Sequence, residues 1–220
     1  MLEVTVRGEA ERTYPAERAT VTLGATIEGP DKQRTFEQAV ALQEPLTAQL
    51  RELVSREAVA TWSSDQVRVY TYRPWVDGEQ RGAPVHSASV GVTAEFVDFE
   101  RLSGFVDHWS GRDGVEIHGI TWDVLDRNRR GYETDIRKAA VENAVAKAQA
   151  YADAVRRGRV TATRLADPGM LNPSDGPGPA PFAREMKVAG LAADGGGASL
   201  QLTPADIVIR VEVDAHFTAD

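Results

Sequence analysis

"DIRKAAVENAVAKAQAYADAVRRGRV", Asp135 to Val160, is the most regular stretch of the chain. At about 100° per residue, Ile136, Ala140, Val141, Ala144, Val145, Ala148, Tyr151, Ala152 and Val155 fall within one half of the helical wheel. Glu142, Asn143, Lys147, Gln149 and Asp153 lie off that half or at its margin. Glu133 and Asp135 suit the first turn and Arg156 and Arg157 the last, with Gly158 as the stop. About 25 residues then make a rod of about 38 Å. The stretch holds no Cys, His or Ser, and none of its side chains is a nucleophile or one of a ligand pair. Small residues on one side let a helix lie close to a sheet or to another helix, so the segment reads as a packing element.

Downstream, a strand is expected over Val160 to Leu165. From Asp167 to Thr203 the composition turns to Gly, Pro, Ala and Asp, with "PSDGPGPAP" and "DGGGAS", as in linkers. "DIVIRVEVDAHF" then alternates, with Ile207, Ile209, Val211, Val213, Ala215 and Phe217 facing in. Upstream, Leu2, Val4 and Val6 form the dry side of a first strand. Ala19, Val21, Leu23, Ala25 and Ile27 do the same for a second. From Asp31 to Ser55 a helical stripe carries Phe36, Ala39, Val40, Leu42, Leu46, Leu50 and Leu53, and Pro45 inside it should kink the helix. "QVRVYTYRPW" and "PVHSASVGVTAEF" read as strands joined across Asp77-Gly78. A short helix over Phe99 to Trp109 ends near Gly111, and "VEIHGITWDVL" is a strand with Ile120, Trp122 and Val124 inward.

The expected class is α+β: mainly antiparallel sheets packed by the long Ala-rich helix and one or two shorter helices. The order is roughly ββαββαβαβ, then a long loop and a final strand. Residues 1–220 form one domain in this reading, with two lobes as the variant, and 167–203 is a flexible loop or arm within it. The chain has 220 residues, 42% hydrophobic and 26% charged, with a formal net charge of −8. That charge opposes nucleic-acid binding, so no nucleic-acid partner is expected. Without cysteine there are no disulfides, thiolate nucleophiles or cysteine metal sites. No apolar run approaches the roughly 18 residues of a transmembrane helix. "LEVTVRG" after Met1 lacks a signal-peptide start, so a cytoplasmic location is expected for the chain as written.

Taken in order, several segments resemble the SIMPL domain family, bacterial proteins of unknown function that include secreted or periplasmic antigens. They are Pro15 with "ATVTLGATIEG", "YTYRPWVDG" (Pro74, Trp75, Asp77, Gly78), "ASVGVTAEFVDFERL" and "LTPADIVIRVEVDAHF". The nearest match is "AVENAVAKAQAYADAV", with Ala140, Ala144, Lys147, Ala148 and Ala152 at the family spacing. The chain as written is expected to depart from the family in starting without a signal peptide, unless a leader has been trimmed, and it differs in a Pro15-to-Ala19 spacing one residue wider and in "RRGRV" where the long helix normally meets Leu-Gly. The resemblance implies an α+β fold, a large or ring-like homo-oligomer and a loose link to stress tolerance. It implies no catalytic residues.

The residues themselves add little chemistry. His86 and His118 each begin the core-facing side of a strand, His108 ends a short helix and His216 points to a polar face. No HExxH or paired-His spacing appears, so satisfied or solvated histidines outweigh a zinc site. Ser87 and Ser89 sit mid-strand without a nucleophile elbow. Asp123 and Asp126 read as caps of the following turn rather than cation ligands. The Gly-rich runs lack the Lys-Ser/Thr of a phosphate loop. Arg127, Arg129, Arg130, Arg156, Arg157 and Arg159 read as a solvated face, with an acidic partner as the sharper alternative. No catalytic residue, cofactor or metal is assigned.

Tyr70 and Tyr72, opposite Val67 and Val69 on their strand, and Trp75 beyond them are candidate partner or subunit contacts, or else rest under a loop. Phe182, Met186, Val188 and Leu191 within the arm are candidates too, docking on another subunit or on their own domain. Two functions follow. One is a non-enzymatic, oligomer-forming scaffold. The other is a module that binds a small ligand or envelope component in a cleft between sheet and loop. Histidine and carboxylates converging in one pocket would favour the second.

Overall fold

The computed structural model describes residues 1–75, 82–171 and 202–220. Those residues form eight strands and three helices in antiparallel sheets, an α+β architecture. The described residues divide into two compact units: Met1–Pro15, 124–171 and Asp206–Asp220 in the first, residues 16–75, 82–123 and 202–205 in the second.

The first unit is a three-stranded sheet under one long helix. Strand β1 (Leu2–Tyr14) pairs along its whole length with the closing strand β8 (Ile207–Ala219), and β7 (Thr161–Ala166) pairs with the other edge of β8. Helix α3 (Asp126–Ala154) covers the dry face, burying Ile136, Ala140, Ala144, Ala148 and Ala152 against β1 and β8. The alanines act through size. A Cβ on Gly8 would sit 2.1 Å from the Ala140 carbonyl oxygen and 2.7 Å from Ala144 Cβ, so helix and strand meet backbone to backbone. Val4, Val213, Ala215 and Phe217 complete this core.

The polar margin of the same helix ties down backbone. Asn143 Oδ1 accepts from the Glu9 N–H at 3.1 Å, and Lys147 Nζ donates to the Arg7 carbonyl at 3.0 Å. Both groups lie on β1, away from its β8 pairing, so α3 closes that edge of the sheet. Gln149 accepts from the Val160 N–H at 3.0 Å and donates to the Gly158 carbonyl at 3.3 Å, which holds the exit from the helix.

Helix α3 starts at Asp126, earlier than the alanine periodicity predicts, so Glu133 and Asp135 are not in its first turn. "DRNRRGYET" lacks an apolar stripe, but Tyr132 stacks on Tyr14 at 3.8 Å between ring centroids. Leu125 is the N-cap without a side-chain cap bond, and Asp126 provides the acidic group of the first turn. The helix also stops earlier than expected. Arg156, at φ 56°, takes the left-handed position ahead of Gly158. The Arg157 N–H then bonds the Ala152 carbonyl and the Arg156 N–H the Asp153 carbonyl, closing a Schellman motif around a non-glycine residue.

The second unit layers two helices on a five-stranded sheet. Its central path is β3 (Val59–Ser64), β5 (Val85–Phe96), β2 (Arg18–Gly29), β6 (Val115–Asp123), with β4 (Arg68–Tyr72) also on β5. Strands β3 and β4 occupy successive lengths of the same edge, β3 against Val92–Phe96 and β4 against Val85–Ser89. Helices α1 (Lys32–Ser55) and α2 (Phe99–Ser110) cover the inner face, where Ala19, Val21, Leu23, Val90, Val92, Phe96, Ile120 and Trp122 are buried. Asp31 and Asp98 cap these helices through their carboxylates. Trp109 Nε1 donates to Gln49 Oε1 at 2.7 Å, linking the two.

Two expectations need correction here. The order is ββαβββαβαββ: "VATWSS" forms β3, a short strand, half of it polar, whose alternation is too weak to read. The buried side of α1 is Thr35, Ala39, Leu46, Thr47, Leu50 and Leu53, whereas Phe36 and Val40 are each 39% exposed. The helix start crowds β2, since a Cβ on Gly29 would meet Thr35 Oγ1 at 2.8 Å, and only small residues fit there. The helix runs on through Pro45.

Candidate functional site

The outer face of the second sheet, away from α1 and α2, is carpeted by short polar side chains and two glycines. Gly24 on β2 lies directly opposite Gly91 on β5, leaving a depression in the middle of the sheet. Side chains overhang it from both flanks. A Cβ on Gly24 would lie 2.5 Å from His118 Nε2, and one on Gly91 would lie 2.8 Å from Asp65 Oδ2. Cross-strand Cβ positions stand about 5 Å apart, so imidazole and carboxylate face each other across no more than about 11 Å.

Local structure explains both placements. Between β2 and β6 the register shifts: Thr22 pairs with Gly119 but Leu23 with Ile117, so His118 is the extra residue of a bulge. A bulge re-aims its side chain, and here it turns His118 over the glycine floor. The expectation that His118 faces the core is therefore wrong; it is exposed on the outer face. Asp65 belongs to the turn where the chain passes from β3 to β4. Its N–H donates to the Gly91 carbonyl at 2.8 Å, which pins the turn onto β5 with the carboxylate leaning over the floor.

Thr26, Ser89, Gln66 and Arg68 complete a polar pocket of about 160 Å³. Pockets for drug-sized ligands run from about 300 Å³ upward, so this one takes a single ring or polar group rather than a whole cofactor. Among the described residues, the side chains of His118, Asp65 and Arg68 have no hydrogen-bond or ion-pair partner. The contrast lies at the far end of the same face. There Arg18 bridges Glu95 and Asp123, each at 3.1 Å, with the Arg18 and Asp123 side chains only 11% and 8% exposed. That network is structural, and it adds an ion pair to Asp123 that the sequence did not predict.

An aromatic stripe runs along β4 toward the pocket. Tyr72, Tyr70 and Arg68 oppose Val85, Ser87 and Ser89, so all three stand on the outer face. The Tyr72 hydroxyl donates to the Glu28 carboxylate on β2, at 3.2 Å to the nearer oxygen. Its ring therefore lies across β5 instead of standing away from the sheet. Desolvation first, then the Glu28 hydrogen bond and charge, raises the Tyr72 pKa above the ordinary phenol value. Tyr70, 55% exposed, follows with its ring centroid 6.1 Å from that of Tyr72 and a tilt of 31°. Trp75 is 70% exposed.

Tyr70, Tyr72 and Trp75 are thus placed at the surface, while Phe182, Met186, Val188, Leu191 and the Asp77-Gly78 turn lie outside the described residues. His86 sits on the other face of β5 with its Nδ1 2.7 Å from the Thr71 hydroxyl, and His216 Nδ1 lies 3.0 Å from the Thr163 hydroxyl. His108, in the last turn of α2, packs edge-on against Trp109. The structure does not bring the four histidines together, and among the described residues no three His, Asp or Glu side chains converge as metal ligands. Ser89 joins the pocket, whereas the Ser87 hydroxyl is fully buried without a partner beside the tyrosines. Sequence reasoning missed Asp65, Arg68 and the glycine pair. One signal was present: in "VEIHGITW" inward residues Ile117 and Ile120 are three apart instead of two, the mark of a bulge at His118-Gly119.

No helix among the described residues is long and apolar enough to cross a membrane. No curated protein matches the chain. The family model for SIMPL, a protein of unknown function (DUF541), matches residues 4–217 of the 220. That match takes in both sheets and the alanine helix that packs the first of them: the chain belongs to the SIMPL family.

Proposed function

We propose that the second unit is a binding module for a small polar ligand, held on the open sheet face between His118 and the β3–β4 turn. The observation that carries this is the bulge at His118, which sets an unpaired imidazole over a paired-glycine floor opposite an unpaired carboxylate. A bare floor costs two side chains' worth of packing, and a bulge breaks a sheet ladder; neither contributes to the core on the other side. Arg68 and Asp65 offer opposite charges, and Ser89, Thr26 and Gln66 offer hydrogen bonds of both senses. With only four histidines in the chain, the His118 imidazole resonances can be followed singly. A panel of small carboxylates, phosphate, amino acids and sugars should contain a compound that shifts them saturably. Gly24→Ala fills the floor against the movable tip of His118 and should abolish the shift while keeping the fold. A panel that leaves His118 unmoved at millimolar concentration would sink the reading.

A second reading, assembly into homo-oligomers, is supported by one asymmetry in the first unit. The edge of β1 is closed by Asn143 and Lys147. Strand β7, at the opposite edge, pairs only with β8 among the described residues and carries Leu165 at 54% exposure. An open edge with an apolar side chain fits pairing with a second copy. Light scattering on the wild type and on Thr163→Pro decides it: a larger mass that the proline leaves intact would remove β7 from the contact.

A further inference from the structure

We infer that the outer face of the second sheet receives a neutral oligosaccharide, one sugar seated in the Gly24–Gly91 depression and its neighbours stacked along Tyr70 and Tyr72. This rests on the ligand-binding reading of the same pocket. Tyr72, Tyr70 and Arg68 occupy alternate positions of one strand, so the track from the far ring to the guanidinium runs about 13 Å before it reaches the pocket. Arg68, next after Tyr70 on that face of the strand, lines the pocket. The Tyr72 ring is anchored by its hydroxyl bond to Glu28, and the Tyr70 ring beside it is tilted from it by 31°. Two adjoining rings of similar orientation, each with a solvent-facing side, make a platform for a flat, weakly polar partner.

The surroundings select which flat partner. Nucleobases stack on such rings, but a phosphate chain would meet a protein of net charge −8. A second protein surface calls for a dry apolar centre, and the pocket at the end of the track is lined by Ser89, Thr26 and the charged side chains of Asp65 and Arg68. A pyranose has C–H faces to lie on the rings and a rim of hydroxyls that both donate and accept. Asp65 accepts from such hydroxyls, Arg68 donates to them, and His118 does either. The volume of about 160 Å³ suits one ring at the end of a chain.

The full chain is titrated calorimetrically with uncharged cello- and chito-oligosaccharides of increasing length. Affinity is expected to rise with length for at least one series. It should fall about 3–10-fold in Tyr72→Ala and survive largely in Tyr72→Phe, which keeps the ring and loses only the Glu28 bond. Tyr151→Ala, an exposed tyrosine of the first unit, should change nothing. Far-UV circular dichroism of each variant confirms the fold. If neither series binds while a small polar compound still shifts His118, the oligosaccharide assignment is overturned and the pocket reading stands. If nothing shifts His118, both fall. Binding of a single-stranded oligonucleotide instead, or a concentration-dependent mass abolished by Tyr70→Ala, also overturns the assignment.

Discussion

Replacing Gly8 with alanine puts a methyl carbon 2.1 Å from the Ala140 carbonyl oxygen and 2.7 Å from Ala144 Cβ. Neither neighbour is a flexible side-chain tip. Ordinary contact starts near 3.4 Å, so α3 and β1 must separate by about 1 Å. That gap weakens the dispersion contacts of Ala140, Ala144 and Ala148 together, an overpacking cost of about 1–3 kcal/mol. It also stretches the Asn143–Glu9 and Lys147–Arg7 bonds, each worth about 0.5–1.5 kcal/mol. Because the two bonds are stretched rather than lost, the total is about 2–4 kcal/mol. Urea unfolding followed by far-UV circular dichroism should show a midpoint lower by about 1 M, for a slope of about 2–3 kcal/mol per molar. Gly131→Ala is the matched control in the same helix, with nothing within 4 Å of the new methyl, and should stabilise by about 0.5–1 kcal/mol. A Gly8→Ala midpoint equal to that of the wild type would show that the helix does not lie on this strand as described.

Three further outcomes are expected. Arg156→Gly and Glu57→Gly, both at left-handed positions after helices (φ 56° and 57°), should each raise stability by about 0.5–1 kcal/mol in the same assay, and a loss in either would contradict the strain argument. Gln149→Ala leaves the N–H of buried Val160 without its acceptor and should cost about 1–3 kcal/mol; a neutral result would mean another group takes over. The Asp214 carboxyl is held below its usual pKa by the Arg7 hydrogen bond, against desolvation, with help from the Gly169 N–H. A depressed folded value contributes stability above the unfolded pKa of about 4, which is lost as pH falls through the folded one. Stability of the wild type should therefore decline more steeply below about pH 4 than that of Asp214→Asn, and parallel profiles would refute the linkage.

What the sequence disclosed depended on how local each signal was. The buried alanine face of the long helix and the alternating strands β1, β2, β5 and β8 follow from period alone, and they stand where expected. The start of α3 escaped because its first turns are held by the Tyr14–Tyr132 stack, a contact between residues far apart in the chain. Strand β3 escaped because most of its side chains are not buried. The pocket was the least legible. Its floor exists only when Gly24 and Gly91 are paired across two strands, one wall comes from a turn, and the other from a residue that a one-residue bulge turns away from the core.

The sheet of the first unit also sets a limit on stoichiometry. Among the described residues, the chain's own asparagine and lysine contact the β1 edge at Glu9 and Arg7, while β7 pairs only with β8 and leaves its other edge open to another strand. Edge-to-edge addition through β7 uses up the one vacancy each copy brings. Two copies joined in that way form a closed, two-fold pair with no end left to extend. Fibre growth needs two adhesive edges per subunit, and if copies pair through β7, Asn143 and Lys147 would oppose further addition at the β1 edge.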